Sequence, residues 1–501
     1  MKTLFALIFF CASLVAQSTV NMLQKGIDNS GATDVSSAVQ KLVNALGPYP
    51  AALYFPAGTY YFKGTRGSEE CVRIAASGMQ VYGDGAGRTI FKTDTSSGCM
   101  ATLGFFALPQ DYSYEDDAGY GVRASSAFAG ATNLALSSSG NTSRYASGSY
   151  VYLRGSSIDV TGEFHGELNQ VVSAGSGTVT LAWPLSSDFS KDGGLQLNVV
   201  ASSEILQNIE VWGITFNFAS QAIMAAQTLG LDIHDNVFNY TGTSTLGAFQ
   251  FNQNRMVTFH DNTINTYNSS GVALDPSRDP TDWQIYNNTI YGSVGIGEAG
   301  AAVTVQNNIV HCQNTAACIG LWGTYGSLVQ GNQVYGTWSN NGSPAVIWEY
   351  AWPYANNPNA TITGNTIVSN TNYAPAVRAT TSGTVVSANS ITAAGTGIDI
   401  QAGGVTLSGN SVTLTSKSTY GCVLVEGPSH AVSIGGLNCT AAPGVTGWAG
   451  VYVGDNGPQF GNRLTVFSST FTNLTRGVAV SNAANDAPIK TGLTFFNVAI
   501  P

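Results

Sequence analysis

The sequence predicts an all-β chain wound as a parallel β-helix, capped by an N-terminal helix and interrupted by an antiparallel β-module. Three observations lead there. The first is a unit that recurs through the C-terminal three-fifths, typified by Val405-x-Leu407-x-Gly409-Asn410-x-Val412. The second is a further short apolar strand upstream of each unit, and the third is a scarcity of helical spacing in a chain of 501 residues with 58 glycines and 10% charged residues. Those proportions suit a long solenoid with tight corners and polar, uncharged flanks.

Asparagine occupies the same place in eight copies, at Asn236, Asn262, Asn288, Asn308, Asn332, Asn365, Asn389 and Asn410. The gaps between them are 26, 26, 20, 24, 33, 24 and 21 residues, and weaker copies have Ile214, Leu437, Ser469 and Val498 in that place. A constant core with variable spacing is what stacked coils with loops of different length produce. Alternating apolar residues around a Gly-Asn corner read as two strands meeting at a bend. Asparagine tolerates left-handed backbone, and stacked amides can hydrogen-bond along the axis. The third strand is expected at 271–275, 318–322, 345–349, 397–401 and 422–426. Three strands per turn make a parallel β-helix with coils ~4.8 Å apart. The leucine-rich repeat, the rival at this period, is excluded because its consensus and helical segments are missing.

Domain boundaries follow from breaks in this rhythm. Residues 1–18 read as a secretory signal: Lys2, an apolar run from Leu4 to Phe10, then Ala16-Gln17-Ser18. Residues 19–124 read as a cap helix and the first coils, with Gly31 to Val43 forming an amphipathic helix that plugs the open end. Residues 125–200 read as an inserted module of antiparallel strands with Gly/Ser turns, and 201–501 as the main solenoid. The loop Gly162-Glu163-Phe164-His165-Gly166-Glu167 in the insert reads as a solvated turn. Six cysteines remain after the signal, and pairing of sequence neighbours (71–99, 312–318, 422–439) fits an oxidising compartment, with free buried thiols as the alternative. The formal net charge of −10 argues against nucleic acid as a partner. The mature chain is expected to be secreted, monomeric and free of any membrane span.

One stretch carries a family signature. The helix, then Tyr54-Phe55-Pro56-Ala57-Gly58-Thr59-Tyr60, then Val81-Tyr82-Gly83-Asp84-Gly85 resembles the N-terminus of the pectate lyase-like, rhamnogalacturonase/epimerase-like right-handed β-helix superfamily. The signature covers about residues 26–95, and the asparagine corners extend the likeness to the C-terminus. One departure stands at the start: the usual Gly-Asp-Gly-x-x-Asp-Asp turn is here the looser Asp28 to Asp34, a turn that is structural in the family. The resemblance implies a right-handed helix, a polysaccharide substrate and a cleft on the strand upstream of the asparagine corner.

Outward positions of that strand are expected to form two columns. One holds Asn252, Asp275, Trp322, Glu349, Thr380, Gln401 and Glu426; the other holds Gln250, Ile347, Arg378, Asp399 and Tyr452. Glycoside hydrolysis needs two carboxyl groups ~5–5.5 Å apart for retention or ~6.5–9.5 Å for inversion. Asp275 and Glu298 on neighbouring coils are the first expected pair, with Glu349 the third catalytic candidate, partnered by Arg378 or Asp399. Asn252, Arg278, Trp322, Tyr350, Trp352, Arg378, Asp399 and Gln401 are the expected substrate-binding residues, the aromatics serving as sugar platforms. Asp275-Pro276-Ser277 faintly resembles the Asp-Pro-His motif of alginate epimerases, but the histidine is replaced. Asp275, Asp279 and Asp282 lack the spacing of a calcium loop and read as a solvated turn. No metal or cofactor is expected. On the face before the corner, His234 and His260 should stack as a small pH-sensitive cluster of structural character.

A lyase on uronic acids needs a base and cations that neutralise the carboxylate. Only Arg255, Arg278 and Arg378 are placed to supply these, and the polygalacturonase motifs are absent. The expected function is therefore a secreted glycoside hydrolase acting on a neutral or weakly acidic polysaccharide. A polysaccharide lyase and a non-catalytic glycan-binding module are the alternatives.

Overall fold

Three parallel walls wind around one apolar interior. In this computed structural model the described residues are 18–64, 70–107, 122–125, 127–137, 139–158, 164–190, 195–242, 247–266, 273–274, 276–297, 300–339, 344–350, 359–372, 374–416, 420–426, 431–445, 447–454, 464–481 and 488–500. The first wall, before the asparagine corner, is a 15-stranded sheet, and the second, after it, is another of 15 strands. The third wall is split into sheets of five and eight strands, joined by a single bridge between Leu274 and Val294. Strands repeat in one order, as in Thr406–Ser408, Ser411–Leu414 and Val423–Val425, each paired in parallel with its counterpart on the next coil.

Inward positions repeat in register. Ile233, Phe259, Ile285, Val305, Val329 and Ile362 follow one another up the first wall, and all are buried. One continuous hydrophobic cluster fills the coil from Val20 to Val478. The only helix among the described α-helical residues, Ser36–Leu46, turns Val39 and Val43 onto that cluster, and so covers its N-terminal end. Asp34 sets its entry by accepting from the Ser36 N–H at 2.9 Å and Lys63 N–H at 3.0 Å. The looser Asp28 turn is held by its own carboxylate, which accepts from Ser30 and Thr33 and is thereby kept well below the usual carboxylate range.

The corner is built on the asparagines. At each of seven steps from Asn236 to Asn410, the backbone N–H and the Nδ2 of one asparagine both donate to the Oδ1 of the next, at 2.9–3.3 Å. The remaining Nδ2 proton reaches a strand carbonyl of the preceding coil, such as Ile285 O from Asn308 at 2.9 Å. Every polar atom of the buried amide side chain thus finds a partner. The left-handed residue is not the asparagine itself but the one before it. Asp235, Asp261, Asn287, Asn307, Gly331, Gly364, Ala388 and Gly409 all have φ between 52° and 66°. Asp, Asn and Gly are the residues for which that conformation is cheapest, and Ala388 is the exception.

The insert is a 6-stranded antiparallel sheet with a core of its own, running from Val122–Ala124 to Leu195–Val200. It docks on the solenoid through buried charges. Arg255, 1% exposed, donates from Nη1 to Glu167 at 3.2 Å and from Nη2 to Asp282 at 2.6 Å. Asp279 accepts from the Tyr152 hydroxyl and from the Gly166 N–H. Two sequence readings are corrected here. Glu167 is fully buried in the strand Phe164–Gly175, not in a solvated turn, and Asp279 and Asp282 belong to this seam, not to a solvated loop. Of the third strand expected at 271–275, residues 271, 272 and 275 lie outside the described residues, and a paired strand follows at Pro276–Arg278. A bulge opposes Pro276 to Phe251 and Arg278 to Asn252, while Leu274 bridges to the following coil. The expected disulfides Cys71–Cys99, Cys312–Cys318 and Cys422–Cys439 all form. The signal segment, residues 1–17, lies outside the described residues. Among the described residues, no helix is long and apolar enough to cross a membrane.

Two stability outcomes follow. Asn308→Leu removes the acceptor of two buried donors on Asn288 and should cost about 1–3 kcal/mol per orphaned group in chemical denaturation. Exposed Ser408→Ala should stay within about 0.5 kcal/mol of the parent. Arg255→Ala strands the buried Glu167 carboxylate and should cost about 3–5 kcal/mol, most of it recovered in the double variant Arg255→Met/Glu167→Leu. A small effect of the single change would contradict the role given to the seam.

Candidate functional site on the third wall

Register decides which side chains leave the third wall. Ile319, Ile347, Val377, Ile398 and Val423 align and point inward, so the column beside them, Gly320–Trp348–Arg378–Asp399–Leu424–Tyr452, points out. Trp322 and Tyr350 face each other in register as the last residues of the strands Ala317–Trp322 and Ala345–Tyr350. Gln401 and Glu426 follow the strands Ile398–Ile400 and Val423–Val425, each donating its N–H to the coil below.

This register corrects two expected positions. Ile347 is buried in the core, and Trp348 takes its place outside. Glu349 aligns with Leu321 and Ala379 and points inward, 1% exposed. A slip of one residue moves every side chain of a strand to the other face. The Glu349 carboxylate accepts from the N–H groups of Thr380 and Thr381 at 3.1 and 3.0 Å and from the Thr381 and Thr384 hydroxyls. Burial pushes it up to about 7 despite those bonds. It braces the turn of the next coil and does not reach Arg378, whose partner is Asp399.

The outer face gathers aromatics and charge. Trp322, Trp348 and Tyr350 lie 5.2–5.8 Å apart between ring centroids, at mutual angles of 67–88°. Tilted rings do not stack on one another's faces. The Arg378 guanidinium lies 5.0 Å over the Trp348 ring and donates from Nε to Asp399 Oδ2 at 2.9 Å. Gln401 Nε2 donates to the same oxygen at 2.9 Å. Asp399 is 3% exposed, yet its Oδ1 has no partner, and neither has the buried Trp348 Nε1. Burial raises the Asp399 carboxyl while Arg378 lowers it. Burial also raises half-buried Glu426, and the charge of Asp399 raises it further, so the two carboxylates feel each other. One coil and two positions separate them, a diagonal of ~7–8 Å between backbone positions.

The other expected site residues distribute as follows. Asn252 ends the strand Phe249–Asn252, with its Oδ1 buried and unpartnered, opposite the backbone of Arg278. Asp275, Glu298 and Trp352 lie outside the described residues, as does the side chain of Arg278. Arg255 is enclosed by the docking seam. Sequence reasoning had Asp399 and Glu426 in adjacent columns of one wall but did not pair them. The signal that joins them is a carboxylate in each of two consecutive strands at positions differing by two.

The first wall presents its rings differently. Tyr54, Tyr82, Trp212, His234, His260 and Tyr286 stack in one outward column, with centroids 4.5–5.8 Å apart and planes within 20°. Stacked rings cover each other's faces and show only edges to a ligand. The expected stacking of His234 on His260 is therefore part of a longer column. Glu210, hydrogen-bonded to His234 at 3.2 Å, pushes that imidazole up to about 9.

With this architecture described, the comparisons are consistent. Residues 19–147 match the family model described as rhamnogalacturonase A/epimerase, pectate lyase-like, and residues 247–492 match that of the right-handed β-helix region. The chain thus joins a pectate lyase-like N-terminal region to a right-handed β-helix region. No curated protein sequence matches it. Among solved structures it is similar to the Pseudomonas phage phi297 tailspike gp61 at 13% identity and a TM-score of 0.48, covering 95% of this chain and 84% of that one. DFA-IIIase from Arthrobacter chlorophenolicus A6 gives 11% identity, a TM-score of 0.47 and coverage of 94% and 98%. The A-module of the Azotobacter vinelandii mannuronan C-5 epimerase AlgE6 gives 12%, 0.42 and coverage of 95% and 98%. Similarity at this level is one of fold.

Glu349 yields a stability outcome. The folded protein holds its proton up to about 7, whereas the unfolded chain releases it near the ordinary glutamate value of 4.5. The native state binds more protons between those values, so stability should fall as pH rises through that window, by on the order of 3 kcal/mol, and then level off. Glu349→Gln should abolish this slope in denaturation curves measured across the same range.

Proposed function

We propose that the protein is a secreted carbohydrate-active enzyme, a glycoside hydrolase whose acid and base are Glu426 and Asp399. The observation that carries this reading is the presence on one outer wall of two carboxyls raised by burial, Glu426 further by the charge of Asp399, together with three aromatic rings that meet edge to face. The match to a rhamnogalacturonase A/epimerase, pectate lyase-like model over residues 19–147 supports a glycan substrate. Disulfides at three places support an oxidising, extracellular setting.

Like-charged carboxyls at close range share one proton. Asp399 keeps the negative charge, because Arg378 and Gln401 both donate to its Oδ2. Glu426, more accessible, takes the proton and delivers it to the glycosidic oxygen. Asp399 Oδ1, which no protein group engages, is the base that would activate a water once substrate binding opens access to it. Trp322, Trp348 and Tyr350 hold sugar rings. A lyase is less well supported, since Arg378 is committed to Asp399 and Trp348, and Arg255 to the seam. The low exposure of Asp399, 3%, favours a second reading, a glycan-binding module without turnover.

The purified protein should release reducing ends from at least one member of a panel of neutral and weakly acidic polysaccharides. Asp399→Asn and Glu426→Gln should each lower that rate by about 10²–10⁴-fold. Absorbance from unsaturated uronates would instead identify a lyase. Binding that yields no product and is weakened by Trp348→Ala would identify the module. Full activity in both carboxylate variants would remove this site from the chemistry.

A further inference from the structure

On the first wall, away from the aromatic cleft, two imidazoles and four carboxylates converge. His234 and His260 sit one above the other on consecutive coils, ring centroids 4.9 Å apart. Each has its Nδ1 held by the aspartate that follows it, Asp235 at 2.8 Å and Asp261 at 2.6 Å. Those aspartates are the left-handed corner residues, with φ of 52° and 54°, so the backbone bend that builds the solenoid also turns their carboxylates back onto the rings. Both Nε2 atoms then point along the wall into the neighbouring column. There His234 meets Glu210 Oε1 at 3.2 Å, and His260 meets Asp232 Oδ1 at 3.3 Å. Ligand atoms of Glu210, Asp232 and His234 all lie within 4.8 Å of one another.

We propose that Glu210, Asp232 and His234, with His260 beside them, form a binding site for a divalent transition-metal ion of the zinc class. Three features of the arrangement support it. An imidazole bound to a metal characteristically has its other nitrogen fixed by a carboxylate, which sets the tautomer and aims the free lone pair. Both histidines have that fixing partner. The charge is also unbalanced: four carboxylates face two imidazoles, and among the described residues every ion pair these carboxylates make is with a histidine. A divalent cation offsets that excess. Lastly, mixed imidazole and carboxylate donors favour zinc, nickel or copper over calcium, which prefers an all-oxygen shell.

The donors come from Leu206–Trp212 and Thr228–His234, with Thr258–His260 adjacent, so a bound ion ties together successive coils of the wall. Nothing in this assignment depends on the third-wall chemistry, and the two can fail separately.

Chelator-stripped full-length protein, titrated with ZnCl₂ by calorimetry at about pH 8, should bind one ion per chain. Zinc should also raise the thermal midpoint of the stripped protein. Cobalt(II), used as a probe in place of zinc, should develop a visible d–d band. Asp232→Asn, which preserves side-chain size, and His234→Ala should each weaken zinc binding by about tenfold or more and remove the midpoint shift. Asp235→Asn, acting only through the ring it positions, should weaken binding by about 10–100-fold. Absence of saturable binding in the parent protein, or unchanged affinity in Asp232→Asn and His234→Ala, would overturn the assignment.

Discussion

The chain of asparagine amides at one corner is the constraint on which the other two walls depend. Each amide hydrogen-bonds both the coil above and the coil below, so the chain can neither add nor drop a residue at that bend without orphaning buried donors. Loops elsewhere differ widely in length, from a gap of 20 residues between corners to one of 33, and the walls still stack in register. The left-handed residue before each asparagine completes the bend, and the choice of Asp, Asn or Gly there follows from the backbone. At Asp235 and Asp261 that steric requirement has been put to a second use, as an acceptor for histidine.

Registry acts on the two outer faces in opposite ways. On the first wall, rings recur at the same position on consecutive coils, and the spacing of the coils forces them face to face. The result is a rigid column whose π-faces are consumed internally. On the third wall, Trp322 and Tyr350 are in register and Trp348 lies two residues before Tyr350, yet all three meet edge to face. Aromatic content alone does not distinguish these faces; the mutual tilt of the rings does. Charge is divided between exposures: Asp399 is enclosed beside Arg378, while Glu426, one coil on, remains partly accessible.

Much of the solenoid was readable from the residues, because its period is written in a buried polar amide that has few other uses. Third-wall strands were harder to read. The stretch Ala345–Tyr350 is apolar on both faces, so alternation gives no phase, and a lone Glu349 was assigned to solvent although it is enclosed by threonines of the next turn. Pro276 likewise shifted a strand by inserting a bulge that no local pattern announces. The docking seam was invisible for a different reason. Arg255, Glu167 and Asp282 are far apart in sequence, and each alone resembles an ordinary surface charge. The pairing of Asp399 with Glu426 is weakly marked in the residues, because the two stand in different columns and only the observed register sets them one coil and two positions apart.

The seam also ties distant parts of the chain to one another. Arg255, Asp279 and Asp282, which close on the inserted sheet, all follow its last strand at Val200. Without those coils Glu167 has no cation, and its carboxylate would have to stay hydrated. The docked module therefore requires the turns beyond it to be wound in register, and a slip there would withdraw the counter-charge and release the whole sheet.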